Sequence, residues 1–117
     1  MITGRKKDII RRGAESISAP EVEAMIIAHP KVLRAAAVGM PDPRLGERIC
    51  AYVQLLPGEK ITLKEIISCL KDQGASTFLL PERVEVVEEL PYTAMDKVDK
   101  KSLREDITKK LETEGKG

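Results

Sequence analysis

The chain has 117 residues, of which 42% are hydrophobic and 33% charged, a composition that fits one small globular domain and excludes a disordered chain. Its 20 basic and 19 acidic side chains leave a formal net charge of +1, and only 3% of residues are aromatic, which disfavours general nucleic-acid and membrane-surface binders. There is no apolar run long enough for a membrane span and no recognisable signal peptide, so a cytoplasmic location is expected.

Residue types that bind transition metals are scarce. Cys50 and Cys69 fall in different predicted elements without a CxxC spacing, and His29 is the single histidine. Since a zinc site draws three or four ligands from such residues, no metal site is expected. Both cysteines are interpreted as small buried apolar side chains.

The first 30 residues predict a hairpin followed by a helix. Lys6 to Arg12 predicts a strand that turns at Gly13 and returns through residues 15–17. Ser18-Ala19-Pro20-Glu21 is typical of a helix start, with a capping serine, a proline in the first turn and a glutamate that completes a capping box. The helix is expected to end at His29-Pro30, because the residue before proline disfavours the α conformation.

Two strands are predicted next, and they are expected to pair antiparallel. Val32 to Met40 is rich in alanine and valine and predicts a buried strand that Pro41 interrupts. Residues 48–56 alternate and predict a half-buried strand. One side of that strand carries Ile49, Ala51, Val53 and Leu55, and the other carries Arg48, Cys50, Tyr52 and Gln54.

The second half of the chain predicts a helix, a third strand and a final helix. Residues 62–65 form a second capping box, an apolar stripe follows at helical spacing, and Gly74 is a plausible stop. A strand is expected from Arg83 to Glu88, with Val84 and Val86 inward, and the last helix from Asp99. The predicted fold is α+β: a small three-stranded antiparallel sheet flanked by helices, with an N-terminal hairpin.

Two basic segments are the candidates for chemistry, since no nucleophile–base arrangement and no Walker-type phosphate loop is visible. They are Gly4-Arg5-Lys6-Lys7-Asp8 and residues 97–104, which follow a loop at 90–96. A lysine at a loop tip can reach an anionic group outside its own domain. A solvated basic surface is the alternative, and composition alone favours it.

Six segments carry motifs in a recognisable order and spacing: GRKKDIIRRG (4–13), ESISAPEVE (15–23), HPKV (29–32), AAAVGMPD (35–42), LGERICAYV (45–53) and LPYTAMDKVDKKSLR (90–104). Together they resemble the C-terminal domain of the adenylate-forming ligases, a superfamily that includes acyl-CoA synthetases and dihydroxybenzoate-AMP ligases. One such motif would be weak support, but six in register over nearly the whole chain are strong.

The resemblance implies a domain at residues 8–113 that closes over a larger N-terminal adenylation domain, with residues 1–7 as a hinge segment and 114–117 as a frayed tail. Such ligases convert a carboxylic acid and ATP into an acyl-adenylate and pyrophosphate, then pass the acyl group to the thiol of CoA or a carrier protein. An aryl or a medium- or long-chain acid is implied, with Mg²⁺ held beside ATP by the N-terminal domain. The isolated domain is expected to be inactive.

The same resemblance assigns roles to individual positions. Lys97 resembles the family's adenylation lysine, Lys7 its hinge residue, and Arg5 the arginine that contacts the nucleotide ribose. Gly13, Ala14 and Glu15 resemble the loop that lines the pantetheine tunnel.

Two positions depart from the family pattern. Asp96 stands where glycine usually precedes the lysine, and its carboxylate is expected to weaken adenylation by pairing with Lys97 or repelling the phosphate. Ala14 stands where a second glycine is common, and one methyl group is expected to affect thiol entry only modestly.

A free-standing interaction module of the same fold, complementing a separate N-terminal protein, is the alternative function. Arg5 and Lys7 favour the ligase domain, because a hinge has no use without a tethered partner, whereas Asp96 favours a degenerate or regulatory role. A nucleic-acid binder that uses the two basic segments is disfavoured by the near-zero net charge.

Overall fold

Five strands and three α-helices are present in a computed structural model that describes residues 9–44, 46–94 and 98–116, apart from the side chains at positions 78 and 116. A short 3₁₀ helix, Thr77–Leu79, precedes the fifth strand. The elements are β1 (Ile9–Arg12), β2 (Glu15–Ser18), α1 (Ala19–Ile27), β3 (Val32–Asp42), β4 (Gly46–Leu55), α2 (Leu63–Asp72), β5 (Arg83–Val87) and α3 (Lys100–Lys116).

The three helices begin where the sequence places polar caps. The side chains of Ser18, Thr62 and Asp99 each accept a hydrogen bond from the backbone N–H three residues further on. These bonds satisfy N–H groups that have no partner within the helix. Gly74, with φ +84°, follows the end of α2, as the predicted stop requires. The predicted helix starts are therefore confirmed within one residue.

β4 is the centre of the sheet, since it pairs along both edges. On one edge β3 runs antiparallel to it. On the other edge β1 meets it at the pair Arg12 and Gly46, and β5 lies parallel to it over residues 50–54. β2 pairs only with β1 in the described segments, so the hairpin is an extension of one corner of the sheet.

The α+β fold with an N-terminal hairpin is confirmed, and the sheet differs from expectation in three details. β5 is parallel to β4, because the connection through α2 returns the chain to the sheet in the same direction. The hairpin joins the sheet, which therefore has five strands and not three. β3 continues past Pro41 to Asp42, and proline is tolerated there because β3 is an edge strand.

Helices cover both faces of the sheet. The odd-numbered residues Ile49, Ala51 and Val53 of β4 pack with α1 and α2, and the even-numbered Cys50 and Tyr52 pack with α3. The prediction that β4 is half-buried is therefore wrong, because α3 covers the face that was expected to be exposed. Among the described helices none is long and apolar enough to cross a membrane.

The inward side chains of β5 were only partly predicted. Val84 packs against the core formed with α1 and α2, as expected. Val86 lies on the same side of the strand but is 51% exposed. Its inward assignment is wrong, because the helix layer that covers Val84 does not extend over Val86.

Candidate functional site

The turn of the β1–β2 hairpin brings together three residues that the sequence singles out. Arg12 and Glu15 pair across it, leaving Gly13 and Ala14 as a two-residue loop. Gly13 has φ +62°, a left-handed conformation that suits the first position of the favoured hairpin turns and that glycine adopts without strain. Residues 13–15 are exposed, so the backbone of this Gly13 turn is open to a narrow ligand.

A cluster of four charged side chains holds the hairpin to the sheet at the end next to the Gly13 turn. The guanidinium of Arg12 forks onto both carboxylate oxygens of Glu82, with Nε–Oε1 at 2.9 Å and Nη2–Oε2 at 3.1 Å. Arg48 donates from Nε to the same carboxylate at 3.2 Å and from Nη1 to Asp42 at 3.4 Å. We call these four residues the Glu82 cluster. Bidentate guanidinium–carboxylate pairs are strong and directional, so the cluster fixes an orientation as well as a distance.

The ionisation of Glu82 reflects two opposing effects. Partial burial disfavours its charged form, but the hydrogen bond and charge of Arg12 outweigh that cost, helped by the charge of Arg48 and the N–H of Ile49. The pKa of Glu82 therefore lies below its usual value. The hydrogen bond to Glu82 likewise raises the pKa of Arg12. The pair is fully charged at neutral pH.

A second carboxylate supports the neighbouring residue of the hairpin. Glu47 accepts a hydrogen bond from the backbone N–H of Arg11 at 2.8 Å. The carboxylate lies against Gly39, where an added Cβ would come within 2.6 Å of it. A side chain at position 39 would therefore displace the Glu47 carboxylate from its place beside the hairpin.

The loop that precedes α3 is held at its base by backbone contacts. Tyr92 and Val98 form an antiparallel bridge, and the N–H of Asp99 donates to the carbonyl of Pro91 at 2.9 Å. The N–H of Leu90, a residue that is 2% exposed, donates to the Gln54 side chain at 3.4 Å. These contacts fix both ends of the segment 93–97.

An aromatic side chain adds an exposed contact at the same place. Arg34 donates from Nη1 to the hydroxyl of Tyr92 at 3.0 Å, and its guanidinium carbon lies 5.9 Å from the ring centroid. Tyr92 is 38% exposed, so water competes for both groups. Exposed contacts of this kind each contribute less than about 1 kcal/mol to stability.

The helix that follows the loop is anchored through a buried tyrosine. Tyr52 is 1% exposed and donates its hydroxyl proton to Asp106 of α3 at 2.6 Å. Asp106 also pairs with Lys110 at 3.1 Å, and Lys110 with Glu85 of β5 at 2.8 Å. Arg83 connects Glu85 to the end of α3 through Glu114. We call these six residues the Tyr52 network.

Burial dominates the ionisation of the two polar core residues of β4. It raises the pKa of Tyr52, and the bond to Asp106 raises it further, so the hydroxyl stays protonated and remains a donor. It also raises the pKa of the Cys50 thiol to about 12. Cys50 is therefore a buried apolar side chain without thiolate character at neutral pH, as predicted. Cys69 is half-buried, which is less than predicted.

Several predicted site residues lie outside the described residues. Arg5, Lys7 and Lys97 are among them, as is Asp96, so their roles stay predictions from the sequence. Of the predicted set, the structure places Gly13, Ala14 and Glu15. Within the described ranges, no group of three or more His, Cys, Asp and Glu side chains could hold a metal ion.

Sequence reasoning missed the two residues on which the anchoring clusters centre. Glu82 lies in a short acidic and basic segment whose charges suggest a solvated surface. Tyr52 lies on the side of β4 that also carries Arg48 and Gln54, and that side was interpreted as facing solvent. One sequence signal indicates that Tyr52 is buried: Cys50 lies on the same side of β4, and neither side chain is strongly polar.

Comparison with known proteins gives a consistent result. Residues 21–97 match the model of the AMP-binding enzyme C-terminal domain. The chain is 46% identical over 111 residues to the medium-chain fatty-acid–CoA ligase of Escherichia coli K12, covering 94% of this chain and 20% of the relative. It is 44% identical over 111 residues to the 2,3-dihydroxybenzoate-AMP ligase of Bacillus subtilis 168, covering 95% and 20%. The chain thus spans about a fifth of these relatives.

Solved structures agree with the sequence relatives. The fold matches that of Mycobacterium smegmatis MbtA in its apo form with a TM-score of 0.80 and 39% identity, over 84% of this chain and 18% of that one. It matches apo MatB from Rhodopseudomonas palustris with a TM-score of 0.84 and 33% identity, over 90% and 21%. Family match, relatives and fold together show that the chain belongs to the AMP-binding enzyme C-terminal domain family of the adenylate-forming ligases.

Proposed function

We propose that this chain is the mobile C-terminal domain of an ATP-dependent acid–thiol ligase. The observation that carries the proposal is the 44–46% identity, over nearly the whole chain, to ligases that form acyl-CoA or acyl-AMP. The domain operates with an N-terminal adenylation domain that holds ATP and the carboxylic acid, and it has no ligase activity alone.

In the adenylation half-reaction the acid attacks the α-phosphate of ATP and releases pyrophosphate. Lys97 provides a cation between the carboxylate and the α-phosphate, which orients both groups and offsets developing negative charge. Arg5 contacts the nucleotide ribose. The anchored base of the loop supports this role, since Tyr92 and Val98 hold the two ends of the segment that carries Lys97.

In the thiolation half-reaction a thiol attacks the acyl-adenylate and releases AMP. The Gly13 turn lines the path of the pantetheine arm of CoA or a carrier protein. Its exposure and the missing side chain at Gly13 support this role, because a narrow arm needs close approach to backbone. Ala14 adds one methyl group to that surface.

The separation of the two segments supports a swing between half-reactions. The hairpin joins β4 at Gly46, and Leu90 at the loop base bonds to Gln54. Those two positions of β4 are eight residues apart, a distance of about 26 Å along a strand. One orientation of a rigid domain does not present both segments to a single site, so the domain rotates, with Lys7 as the hinge.

The acid is proposed to be an aryl or a medium- or long-chain acid. Its pocket belongs to the adenylation domain, and the relatives' names span fatty-acid, naphthoate and dihydroxybenzoate ligases. CoA and a carrier-protein thiol remain the two acceptor classes, and the domain acts in the cytoplasm.

The test is ATP–pyrophosphate exchange by the ligase formed from this domain and its adenylation domain, with a panel of aryl and aliphatic acids. We expect acid-dependent exchange, and thioester formation when CoA or a carrier protein is added. The isolated domain is the matched control and should give neither. Absence of exchange with every acid in both classes would contradict the proposal.

The intact mass of the native polypeptide separates this function from a free-standing interaction module. A species several-fold heavier than 12.9 kDa supports a tethered domain. A native species of this size alone would support the module, and the adenylation domain would then have to be supplied by another protein.

A further inference from the structure

We propose that Glu82 is a positioning residue for the thiolation half-reaction, an inference that rests on the proposed function of the Gly13 turn. Glu82 lies in the segment before β5 and does not belong to the hairpin. Its carboxylate nevertheless binds Arg12, the residue directly before Gly13. The side chain thereby connects the turn to the body of the domain.

Glu82 is itself held against β4. The backbone N–H of Glu82 donates to the carbonyl of Ile49 at 2.9 Å, and the Oε1 of Glu82 accepts a hydrogen bond from the N–H of Ile49 at 3.4 Å. Arg48 of β4 adds a third restraint through its Nε. Glu82 is therefore held rigidly against the central strand and provides a fixed point for Arg12.

The turn has few alternative supports in the described part of the chain. Ile10 and Ile17 pack into the core and hold the body of the hairpin. Nearer the turn, β1 pairs with β4 at Arg12 and Gly46, and the N–H of Arg11 bonds to Glu47. A two-stranded hairpin is marginally stable by itself. The forked bond between Arg12 and Glu82 is the bidentate side-chain restraint on the residue directly before Gly13, so it helps to set the direction of the turn.

Loss of this bond should affect the second half-reaction selectively. A displacement of the turn by about 1 Å changes the fit of a thiol arm, and misplacements of that size cost large factors in rate. Arg12 and Glu82 bond beside residues 46–49 of β4, whereas the loop base near Tyr92 bonds to Gln54, so adenylation should be preserved. The signature is a raised KM for the thiol with unchanged pyrophosphate exchange.

The experiment compares Glu82→Gln with Glu85→Gln in the ligase that contains its adenylation domain. Both glutamates belong to the same short segment, both are ion-paired, and their side chains are 22% and 18% exposed. The bonds of Glu85 are to Arg83 and to Lys110 of α3, whereas those of Glu82 reach Arg12 of the hairpin. Glu85 is therefore matched in chemistry and burial, and it controls for a general loss of stability.

We expect E82Q to raise the KM for CoA or the carrier protein about tenfold, in line with the loss of a charge-assisted bond, while exchange stays within twofold of wild type. E85Q should leave the thiol KM unchanged. Arg12→Lys keeps the charge but loses the fork, so it should give a smaller increase in the same constant.

Equal losses in both half-reactions of E82Q, or the same thiol effect in E85Q, would overturn the proposal. The proposal would also be overturned if the E82Q and R12K variants both folded and both kept the wild-type KM for the thiol. Failure of the proposed function is distinguishable, because it appears in the wild-type ligase as absence of exchange and thioester formation with every acid and thiol.

Discussion

The Gly13 turn and the base of the Lys97 loop are attached to the same sheet by different chemistry. Partly buried ion pairs centred on Glu82 hold the turn. The loop base is held by a backbone bridge and by an exposed contact between Arg34 and Tyr92. The first attachment is charge-assisted and directional, whereas the second consists of backbone bonds and an exposed side-chain contact.

This difference fits the two proposed tasks. A surface that lines a narrow thiol path must keep its shape, and a bidentate ion pair provides that stiffness. A lysine that reaches into another domain needs a long side chain on a loop whose ends are fixed. The Gly13 turn is therefore a rigid lining and the Lys97 loop an extended arm, and each of these two roles can be tested.

The largest effect is expected from Lys97→Ala. Removing a preorganised charge from a transition state costs about 10²–10³ in rate, so ATP–pyrophosphate exchange should fall by that factor. Lys101→Ala is the control, since Lys101 belongs to the same basic segment and is exposed. A similar loss in both variants would mean that the whole segment acts through its net charge.

The next effect is expected from Gly13→Val. Valine is strained at φ +62° and places a branched side chain on the turn, so thioester formation should fall by roughly tenfold or more while exchange is retained. Gly58→Val is matched, because Gly58 has φ +80° and an added Cβ there would meet open space. It should reproduce the loss of stability without the loss of thiolation. Unchanged thioester formation by a folded Gly13→Val variant would remove the turn from the thiol path.

A smaller effect distinguishes the two tyrosines. Tyr52→Phe removes a buried hydrogen bond to a carboxylate and should lower the free energy of unfolding by about 1–2 kcal/mol. Tyr92→Phe removes an exposed acceptor and should cost less than about 0.5 kcal/mol. Urea denaturation of the two variants measures both. Equal costs would contradict the contrast between a buried anchor of α3 and an exposed contact at the loop base.

The last prediction is a dependence of stability on pH. Because the pKa of Glu82 is lowered on folding, its ion pairs stabilise the fold above the ordinary glutamate value of 4.5 and lose that effect as the pH falls through the lower folded pKa. The difference in unfolding free energy between wild type and Glu82→Gln, about 1 kcal/mol at neutral pH, should shrink toward zero below pH 4. A difference that persists in acid would mean that packing, and not charge, explains the variant.

The sequence predicts local features well, because they depend on neighbours in the chain. The capping residues Ser18 and Thr62, the start of the last helix at Asp99, the hairpin turn at Gly13 and the stop at Gly74 were all expected and are all present within one residue. Each is fixed by hydrogen bonds or a backbone conformation within a few residues.

Contacts between distant segments were not predicted. Alternation in β4 assigns Tyr52 to the exposed side, and only the packing of α3, more than 50 residues later, buries it. Parallel pairing of β5 follows from the path through α2, which periodicity does not encode. The bond between Arg12 and Glu82 joins residues 70 positions apart, so charge patterning along the chain carries no signal for it.

The central claim is that one domain serves two half-reactions through two separately held segments. The most direct test supplies preformed acyl-adenylate to the Lys97→Ala ligase and follows thioester formation with CoA or a carrier protein. The account predicts transfer within a few-fold of the wild-type rate, because Lys97 acts before the adenylate exists. Transfer reduced as strongly as pyrophosphate exchange would contradict the division of labour between the loop and the Gly13 turn.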